Sequence, residues 1–340
     1  MFRFGLVGAL RGVPARRGSD QRSGRAGGDF PLLNIRQNGD QVRPDFPYHK
    51  AIKCRLDAGT RRHYEGGGQM FGAILGDIIG QPYEFNRSPK TKKFPLFCKK
   101  PRFTDDTVMT IAICDGILKA GLDAEENTMK TSMITSMQFW GHKYPHAGYG
   151  RKFYLWLACE DTRPYGSYGN GSAMRVSSVG WLFDSLERTR EVARWSAEIT
   201  HNHPEGIKGA ESIASVIWMA RNGKTKAEIK DYIIREFGYD LSRSCDEIRP
   251  NYRHVESCME TCPEAITAFL EGEDFEDVIR TAVSLGGDCD TLTDIATGMG
   301  EAFYGIPEQF KTLAYELTTD AMHEVMRVFE EKAIMISWKK

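Results

Sequence analysis

The chain has 340 residues, of which 41% are apolar and 27% are charged, with 45 Lys and Arg against 46 Asp and Glu. This composition is ordinary for a globular protein, and the length allows one large domain or two small ones. Because no stretch approaches the roughly 20 consecutive apolar residues of a membrane-spanning helix, we expect no membrane insertion.

Charge is distributed unevenly along the chain. Residues 1–69 contain 13 Lys and Arg against 6 Asp and Glu, a balance of +7, whereas residues 70–340 contain 32 against 40, a balance of −8. The first segment is rich in Gly and Arg and lacks a sustained apolar period, so we interpret it as a disordered extension. A basic interaction arm and an organelle transit peptide are the alternatives. The acidic remainder argues against nucleic acid as the main partner.

The eight cysteines show none of the spacing typical of small disulfide-bonded domains. We therefore expect reduced thiols and a cytoplasmic protein, unless the first segment directs the chain to an organelle. Cys258 and Cys262 are close in sequence, but no second pair of cysteines or histidines completes a zinc pattern.

Regular patterning begins at Met70 and is helical from there on. In residues 291–305, TLTDIATGMGEAFYG, apolar side chains recur at the spacing of one helix face, and residues 226–237, KAEIKDYIIREF, repeat that spacing. Residues 204–224 and 307–332 are also amphipathic. Proline followed by glutamate predicts helix starts at three positions, Pro204, Pro263 and Pro307. Strand patterns are scarce, so residues 70–340 are predicted to form one all-α domain.

Two short acidic motifs each precede a predicted helix. FTDDT (103–107) contains Asp105 and Asp106, and GGDCDT (286–291) contains Asp288, Asp290 and Thr291. Together they offer four carboxylates and several hydroxyls, which are hard oxygen ligands suited to Mg²⁺ or Mn²⁺ and not to zinc. Four carboxylates would balance two divalent cations. Either motif alone is as well explained as a helix N-cap.

Residues 166–175, GSYGNGSAMR, are rich in glycine. Gly166, Gly169 and Gly171 would let backbone N–H groups approach the oxygens of a phosphate, and Tyr168 offers an aromatic face to a base or ribose. By itself the stretch is more simply explained as a flexible turn that leads into the helix AMRVSSVGWLF.

Five motifs occur in one order over about 220 residues: GAILGDIIGQPYEF, FTDDT, GSYGNGSAMR, THNHPEG and GGDCDT. This ordered set closely resembles the ADP-ribosylglycohydrolase family, over essentially residues 70–330. That family includes enzymes acting on ADP-ribosyl-arginine and on ADP-ribosylated dinitrogenase reductase. The resemblance implies a compact, multi-helix, all-α fold with a central site for two Mg²⁺ ions, for which Mn²⁺ is a possible substitute.

The resemblance also implies residue roles. Glu84, in PYEF, would approach the metals and gate or assist catalysis, and His201, in THNHPEG, would contact the substrate and not the metal. The implied metal ligands are Thr104, Asp105, Asp106, Asp288, Asp290 and Thr291. The implied catalytic residues are Glu84, Asp105, Asp106 and Asp290. The implied ADP-ribose site is lined by Gly166, Ser167, Tyr168, Gly169, Asn170, Gly171 and His201.

From these roles we predict Mg²⁺-dependent hydrolysis of the glycosidic bond between ADP-ribose and an acceptor such as arginine, with release of ADP-ribose. The partner would be an ADP-ribosylated protein or a small-molecule conjugate, and we expect a monomer. Two alternatives stay open: a dimetal phosphohydrolase acting on a nucleotide diphosphate, and a non-catalytic ADP-ribose-binding or structural protein.

Overall fold

The computed structural model describes residues 70–85 and 87–337, and the predicted extension, residues 1–69, lies outside them. The described residues form α-helices and no β-strand, so the all-α prediction is confirmed. A short 3₁₀ turn, Gln81–Tyr83, follows the first helix. The helices are α1 Phe71–Gly80, α2 Asp105–Ala120, α3 Glu126–Lys143, α4 Arg151–Ala158, α5 Gly171–Met174, α6 Ser177–Leu182, α7 Leu186–Glu198, α8 Pro204–Arg221, α9 Lys226–Phe237, α10 Cys245–Ile248, α11 Cys258–Glu271, α12 Phe275–Leu285, α13 Cys289–Tyr304, α14 Glu308–Glu316 and α15 Asp320–Ser337.

The predicted helix starts are confirmed where local chemistry supplies a cap. α9 begins with a capping box, in which the Thr225 hydroxyl and the Glu228 carboxylate each accept a backbone N–H of the other residue. Its apolar face, led by Ile229 and Ile233, is buried. Pro204 occupies the first position of α8, where the missing N–H costs nothing.

One helix prediction differs from the structure. Pro263 lies in the second turn of α11 and not near its start, so α11 tolerates one missing hydrogen bond. The amphipathic stretch 307–332 forms two helices, α14 and α15. The Thr318 hydroxyl turns back to donate to the Ala314 carbonyl at 2.6 Å, and the Thr319 carbonyl accepts the Met322 N–H at 2.8 Å. These local bonds end one helix and begin the next.

The first and thirteenth helices pack backbone against backbone at the centre of the fold. α1 is buried along its whole length, and α13 is buried from Cys289 to Ala302. Gly72, Gly76 and Gly80 lie one turn apart on the face of α1 that meets α13. A Cβ on Gly76 would lie 2.5 Å from the Thr293 carbonyl oxygen, and one on Gly80 would lie 2.4 Å from that of Cys289. Only glycine permits this approach.

Among the described helices, none combines the length and the apolar character needed to cross a bilayer. The packing of the helices brings the starts of α2 and α13 together. α2 begins at Asp105 and α13 begins at Cys289, so each predicted acidic motif stands at the N-terminus of its helix. There the free N–H groups favour ionised acids.

A chain that begins at Met70 should unfold with the same free energy as the full chain, to within ~0.5 kcal/mol. The reason is that the change of charge balance and the onset of helical patterning coincide there, and Met70 itself is buried in the domain. Urea unfolding of both chains checks this. A chain beginning at Gly66 controls for a new charged amine at the start of α1. A loss of several kcal/mol in both shortened chains would make the extension part of the domain.

Candidate active site

The start of α2 is fixed by a buried acid from α1. Thr104 is the N-cap of α2, and its hydroxyl accepts the Asp106 N–H. The Asp77 carboxylate accepts the Thr104 N–H and the Thr104 hydroxyl, each at 2.8 Å, and the Thr107 N–H at 3.2 Å. Asp77 thus holds the FTDDT turn, and with it Asp105 and Asp106, against the centre of the fold.

The GGDCDT turn is shaped by its glycines. Gly286 and Gly287 have φ angles of 77° and 82°, a region that side chains rarely adopt, and they turn the chain sharply into α13. Asp288 is the N-cap residue, and Asp290 lies in the first turn, where its Oδ1 accepts the Thr291 N–H at 3.0 Å. The carboxyl groups of Asp288 and Asp290 are also hydrogen-bonded to each other.

The two motifs meet. One carboxylate oxygen from each of Asp77, Asp106 and Asp290 lies within 4.8 Å of the other two. A second group has the same spread and consists of Asp288, Glu84 and a ring nitrogen of His254. Asp105 is half-buried, and the other predicted metal ligands, Thr104, Asp106, Asp288, Asp290 and Thr291, are buried.

Burial and mutual repulsion shape the electrostatics of these acids. Burial, followed by the charge of Asp290, raises the pKa of Asp105, Asp106 and Asp288 well above the usual range. The same two causes, in the same order, raise the pKa of Asp77 and of Glu84 to about 7. Without a counter-charge, these acids therefore retain protons at pH values where a free carboxyl would have lost them.

The residues fit a hard divalent cation. Asp106 Oδ1 is buried and has no hydrogen-bond partner among the described residues, so one buried oxygen is available to an ion. The donors of the first group are all oxygen, which suits Mg²⁺ or Mn²⁺. A cation there would also relieve the repulsion centred on Asp290.

The segment after Glu84 is anchored to the GGDCDT turn. The Ser88 hydroxyl donates to the Val283 carbonyl at 2.7 Å. The Lys90 ammonium donates to the Leu285 carbonyl at 2.6 Å and to two further carbonyls, those of Arg249 and Tyr252. Glu84 therefore joins the group with Asp288 and His254 from a segment whose far end, at Ser88 and Lys90, is hydrogen-bonded to the chain just before Gly286.

The glycine stretch 166–171 is bonded to its surroundings. The N–H groups of Gly166, Ser167, Gly169 and Asn170 donate to the Asn202 side chain, the Thr200 carbonyl, the Ser167 hydroxyl and the Glu256 carbonyl. The predicted cluster of free N–H groups is therefore only partly available, because the protein itself uses four of them. The glycines instead leave room beside His201, whose Nε2 would lie 3.2 Å from a Cβ on Gly171.

His201 is held in its neutral form. The Thr200 hydroxyl accepts from Arg175 Nη2 at 2.9 Å and lies 2.7 Å from His201 Nδ1. In the tautomer in which the Thr200 hydroxyl donates to Nδ1, the ring proton lies on Nε2, toward Gly171. Burial, and then the charge of Arg175, hold the pKa of His201 well below its usual range.

Arg175 places a positive charge beneath the glycine stretch. It is fully buried, and burial lowers its pKa to about 10, so it remains charged at neutral pH. Among the described residues its guanidinium donates to the Ser196 carbonyl and to Thr200, and no carboxylate pairs with it. Its charge is therefore available to attract an anion.

The comparisons with known proteins agree with this geometry. Residues 65–333 match the sequence model of the family described as ADP-ribosylglycohydrolase. The chain belongs to the ADP-ribosylglycohydrolase family. The match includes every residue placed at the site above, and the prediction of an enzyme of this family is confirmed.

Relatives of this ADP-ribosylglycohydrolase are similar along most of their length. The chain is 25% identical to human ADP-ribosylhydrolase ARH3, a match covering 78% of this chain and 93% of ARH3. It is 24% identical to ADP-ribosylarginine hydrolase Tri1 of Pseudomonas putida, over 84% of this chain and 86% of Tri1. A solved ADP-ribosylglycohydrolase-related protein complex contains a chain with the same fold, with a TM-score of 0.61 and 21% identity over 79% of this chain and 96% of that one. Family membership supports the coarse activity, hydrolysis of ADP-ribosyl conjugates.

Sequence reasoning missed three residues of this family site. The sequence does contain a signal for Asp77, because a single acid within the apolar run GAILGDIIG indicates a buried carboxylate. Arg175 is the last residue of GSYGNGSAMR, and the motif alone predicts no role for it. His254 lies in a loop whose sequence has no period and carries no such signal.

Proposed function

We propose that the chain is a Mg²⁺-dependent hydrolase that cleaves the glycosidic bond between ADP-ribose and an acceptor and releases ADP-ribose. One observation carries this proposal: Asn170 joins the glycine stretch to the acid groups. Its side-chain Nδ2 donates to Asp288 Oδ2 at 2.7 Å, while its backbone N–H is bonded to the Glu256 carbonyl at 2.8 Å. The stretch that would bind the diphosphate and the acids that would bind the metals are therefore joined through one residue, as a diphosphate with an adjoining ribose would require.

The glycine side would bind the diphosphate. His201 Nε2 lies next to Gly171 and would donate to a phosphate oxygen, and the buried charge of Arg175 lies behind it. Tyr168 is 52% exposed and contacts His203 edge-on, with ring centroids 5.4 Å apart, so one of its faces is free to stack on a base. Binding energy gained there is remote from the bond to be cleaved and would position the ribose over the acids.

The acid side would perform the chemistry. Bound divalent ions would supply Lewis acidity toward the ribose hydroxyls and a water. Positive charge develops at the anomeric carbon as the bond breaks, and the nearby carboxylates would stabilise it. Glu84, half-buried and with a pKa raised to about 7, would accept the proton of the attacking water. The residues that would hold the ions are Thr104, Asp105, Asp106, Asp288, Asp290 and Thr291.

We propose arginine as the acceptor. A guanidinium would be favoured beside Glu84 and the largely exposed Glu256, and by the acidic body of the chain. Salt would weaken any part of this preference that acts beyond ~10 Å.

A substrate panel tests the proposed reaction. ADP-ribosyl-arginine, ADP-ribosyl-serine and O-acetyl-ADP-ribose would each be incubated with the protein in Mg²⁺ and in chelator. We expect free ADP-ribose from the arginine adduct in Mg²⁺ only. Turnover of serine adducts alone would refute the choice of acceptor and leave the reaction class standing. AMP or phosphate as products would identify a phosphohydrolase, and binding without turnover would identify a non-catalytic protein.

Tyr168→Ala should weaken the binding of free ADP-ribose about tenfold, because stacking of a base on an aromatic ring contributes ~1–3 kcal/mol. Isothermal titration of the purified variant would give the Kd. Tyr154→Ala is a matched control, since Tyr154 is equally exposed at 53% but lies on α4. Equal affinities for both variants and the native chain would remove Tyr168 from the ligand site.

A further inference from the structure

His254 lies in the loop between α10 and α11, and no role follows for it from the sequence. One of its ring nitrogens, one oxygen of Glu84 and one oxygen of Asp288 all lie within 4.8 Å of one another. Its side chain is 22% exposed, so the ring lines the site and does not extend into solvent. The second acid group thus differs from the first, which contains only carboxylates, by having a nitrogen donor.

The ring has an acceptor at each nitrogen. Nε2 lies 3.1 Å from Glu256 Oε1, and Nδ1 lies 3.4 Å from the carbonyl oxygen of Gly287, the residue before Asp288. A histidine that binds a metal through one nitrogen usually keeps the other on a carboxylate or a carbonyl, which orients the ring. His254 has both kinds of partner, so either nitrogen could bind a metal while the other stays anchored.

An aromatic ring covers His254. The Phe85 ring packs on it with centroids 5.1 Å apart and planes at 31°. Phe85 has a φ of 51°, which is rare for a residue other than glycine and costs ~1 kcal/mol or more. This backbone conformation, directly after Glu84, places the ring over His254 although the ring remains 60% exposed. The imidazole is thereby confined between Phe85 and the turn at Gly287.

We infer that His254 is a ligand, through a ring nitrogen, of the ion held on the Glu84 and Asp288 side of the centre. The inference rests on the proposed metal-dependent function. Its consequence is a difference between the two halves of the centre. An imidazole donor favours transition metals relative to Mg²⁺, so this half should prefer Mn²⁺ to Mg²⁺ more strongly than carboxylates alone would.

Pulsed electron paramagnetic resonance of the full chain loaded with Mn²⁺ tests the inference directly. A histidine nitrogen bound to Mn²⁺ modulates the electron spin echo, and we expect this modulation in the native protein. Its frequencies should change when the histidines carry the heavy nitrogen isotope, and it should disappear in His254→Gln. His323→Gln should retain it, because His323 has a similar exposure of 29% but lies on α15.

A thermal titration gives a second readout. The ratio of Mn²⁺ to Mg²⁺ affinity, taken from the rise in melting temperature, should fall about tenfold in His254→Gln and stay unchanged in His323→Gln. His254→Phe, which keeps a ring under Phe85, serves in place of His254→Gln if that variant does not fold.

The outcomes separate this inference from the proposed function. Bound Mn²⁺ without histidine modulation in the native chain would overturn the inference and leave the metal-dependent function standing. Modulation that survives in both His254 variants would also overturn it. Failure of the native chain to bind Mn²⁺ or Mg²⁺ would overturn both.

Discussion

Replacing Asp290 by asparagine should lower kcat/KM about a thousandfold and leave a folded protein. Asp290 belongs to the group with Asp77 and Asp106, and it is the largest charge acting on Asp105, Asp106 and Asp288. Asparagine keeps the size of the side chain but removes the charge that would bind a cation. The loss of several kcal/mol of metal-assisted stabilisation corresponds to this factor at ~1.4 kcal/mol per tenfold.

Asp115→Asn is the matched control for this experiment. Asp115 is also a buried acid, but its Oδ2 accepts from Lys119, Ser136 and Trp140, away from the two acid groups. That variant should lose stability and keep its response to Mg²⁺. Full activity of the native chain in excess chelator, or activity of Asp290→Asn above a tenth of the native value, would contradict the metal centre.

In chelator, the acid groups should make the protein less stable as the pH rises from about 4 to about 7. The folded-state pKa values of Asp77 and Glu84 are raised to about 7, above the values of 3.8 and 4.5 for free carboxyls. The folded protein therefore binds more protons than the unfolded chain in this window. The protonated forms of Asp77 and Glu84 therefore stabilise the folded protein. This contribution is fully present below the pKa values of the unfolded chain and is lost as the pH rises through the pKa values of the folded protein.

Melting temperatures measured across this window, with chelator and with Mg²⁺, check the expectation. Mg²⁺ should raise the melting temperature most at the high-pH end, because it replaces the lost protons as counter-charge. His201 acts in the opposite direction, since its lowered pKa makes that contribution rise with pH. The difference in melting temperature between the native chain and Asp290→Asn reports the repulsion among the acids alone. The variant should melt higher than the native chain in chelator near pH 7. A difference in melting temperature that does not change with pH would contradict the proposed repulsion among the acids.

The acid motifs could be found from the sequence because their chemistry is local. FTDDT and GGDCDT each combine acids with a helix start, and both properties are visible in a few residues. The role of Asp77 depends instead on the contact of α1 with the start of α2, which the sequence around Asp77 does not encode. The same holds for His254, which reaches Glu84 only through the path of a loop.

Helix periodicity was informative about one face of a helix at a time. The apolar stripe of α13, with Leu292 and Ile295, was predicted and is buried, but so are Asp294, Thr297 and Glu301 on its other faces. Both carboxylate oxygens of Asp294 lack a hydrogen-bond partner among the described residues, and burial raises its pKa well above the usual range. The pattern underestimated the burial of this helix because polar residues were taken as exposed, whereas the central position of α13 leaves it no exposed face.

The glycine contact between α1 and α13 fixes how closely the backbones that carry Asp77 and Asp290 approach each other. At Gly76 and Gly80 no side chain separates the two helices, so no rotamer change of an intervening side chain can widen the distance between the backbones that carry Asp77 and Asp290. Mg²⁺ binds oxygen at about 2.0–2.1 Å and Ca²⁺ at about 2.3–2.6 Å, and a rigid cage discriminates between them by radius. Any extra room for the larger ion would therefore have to come from the Asp77 and Asp290 side chains and not from the helix backbones.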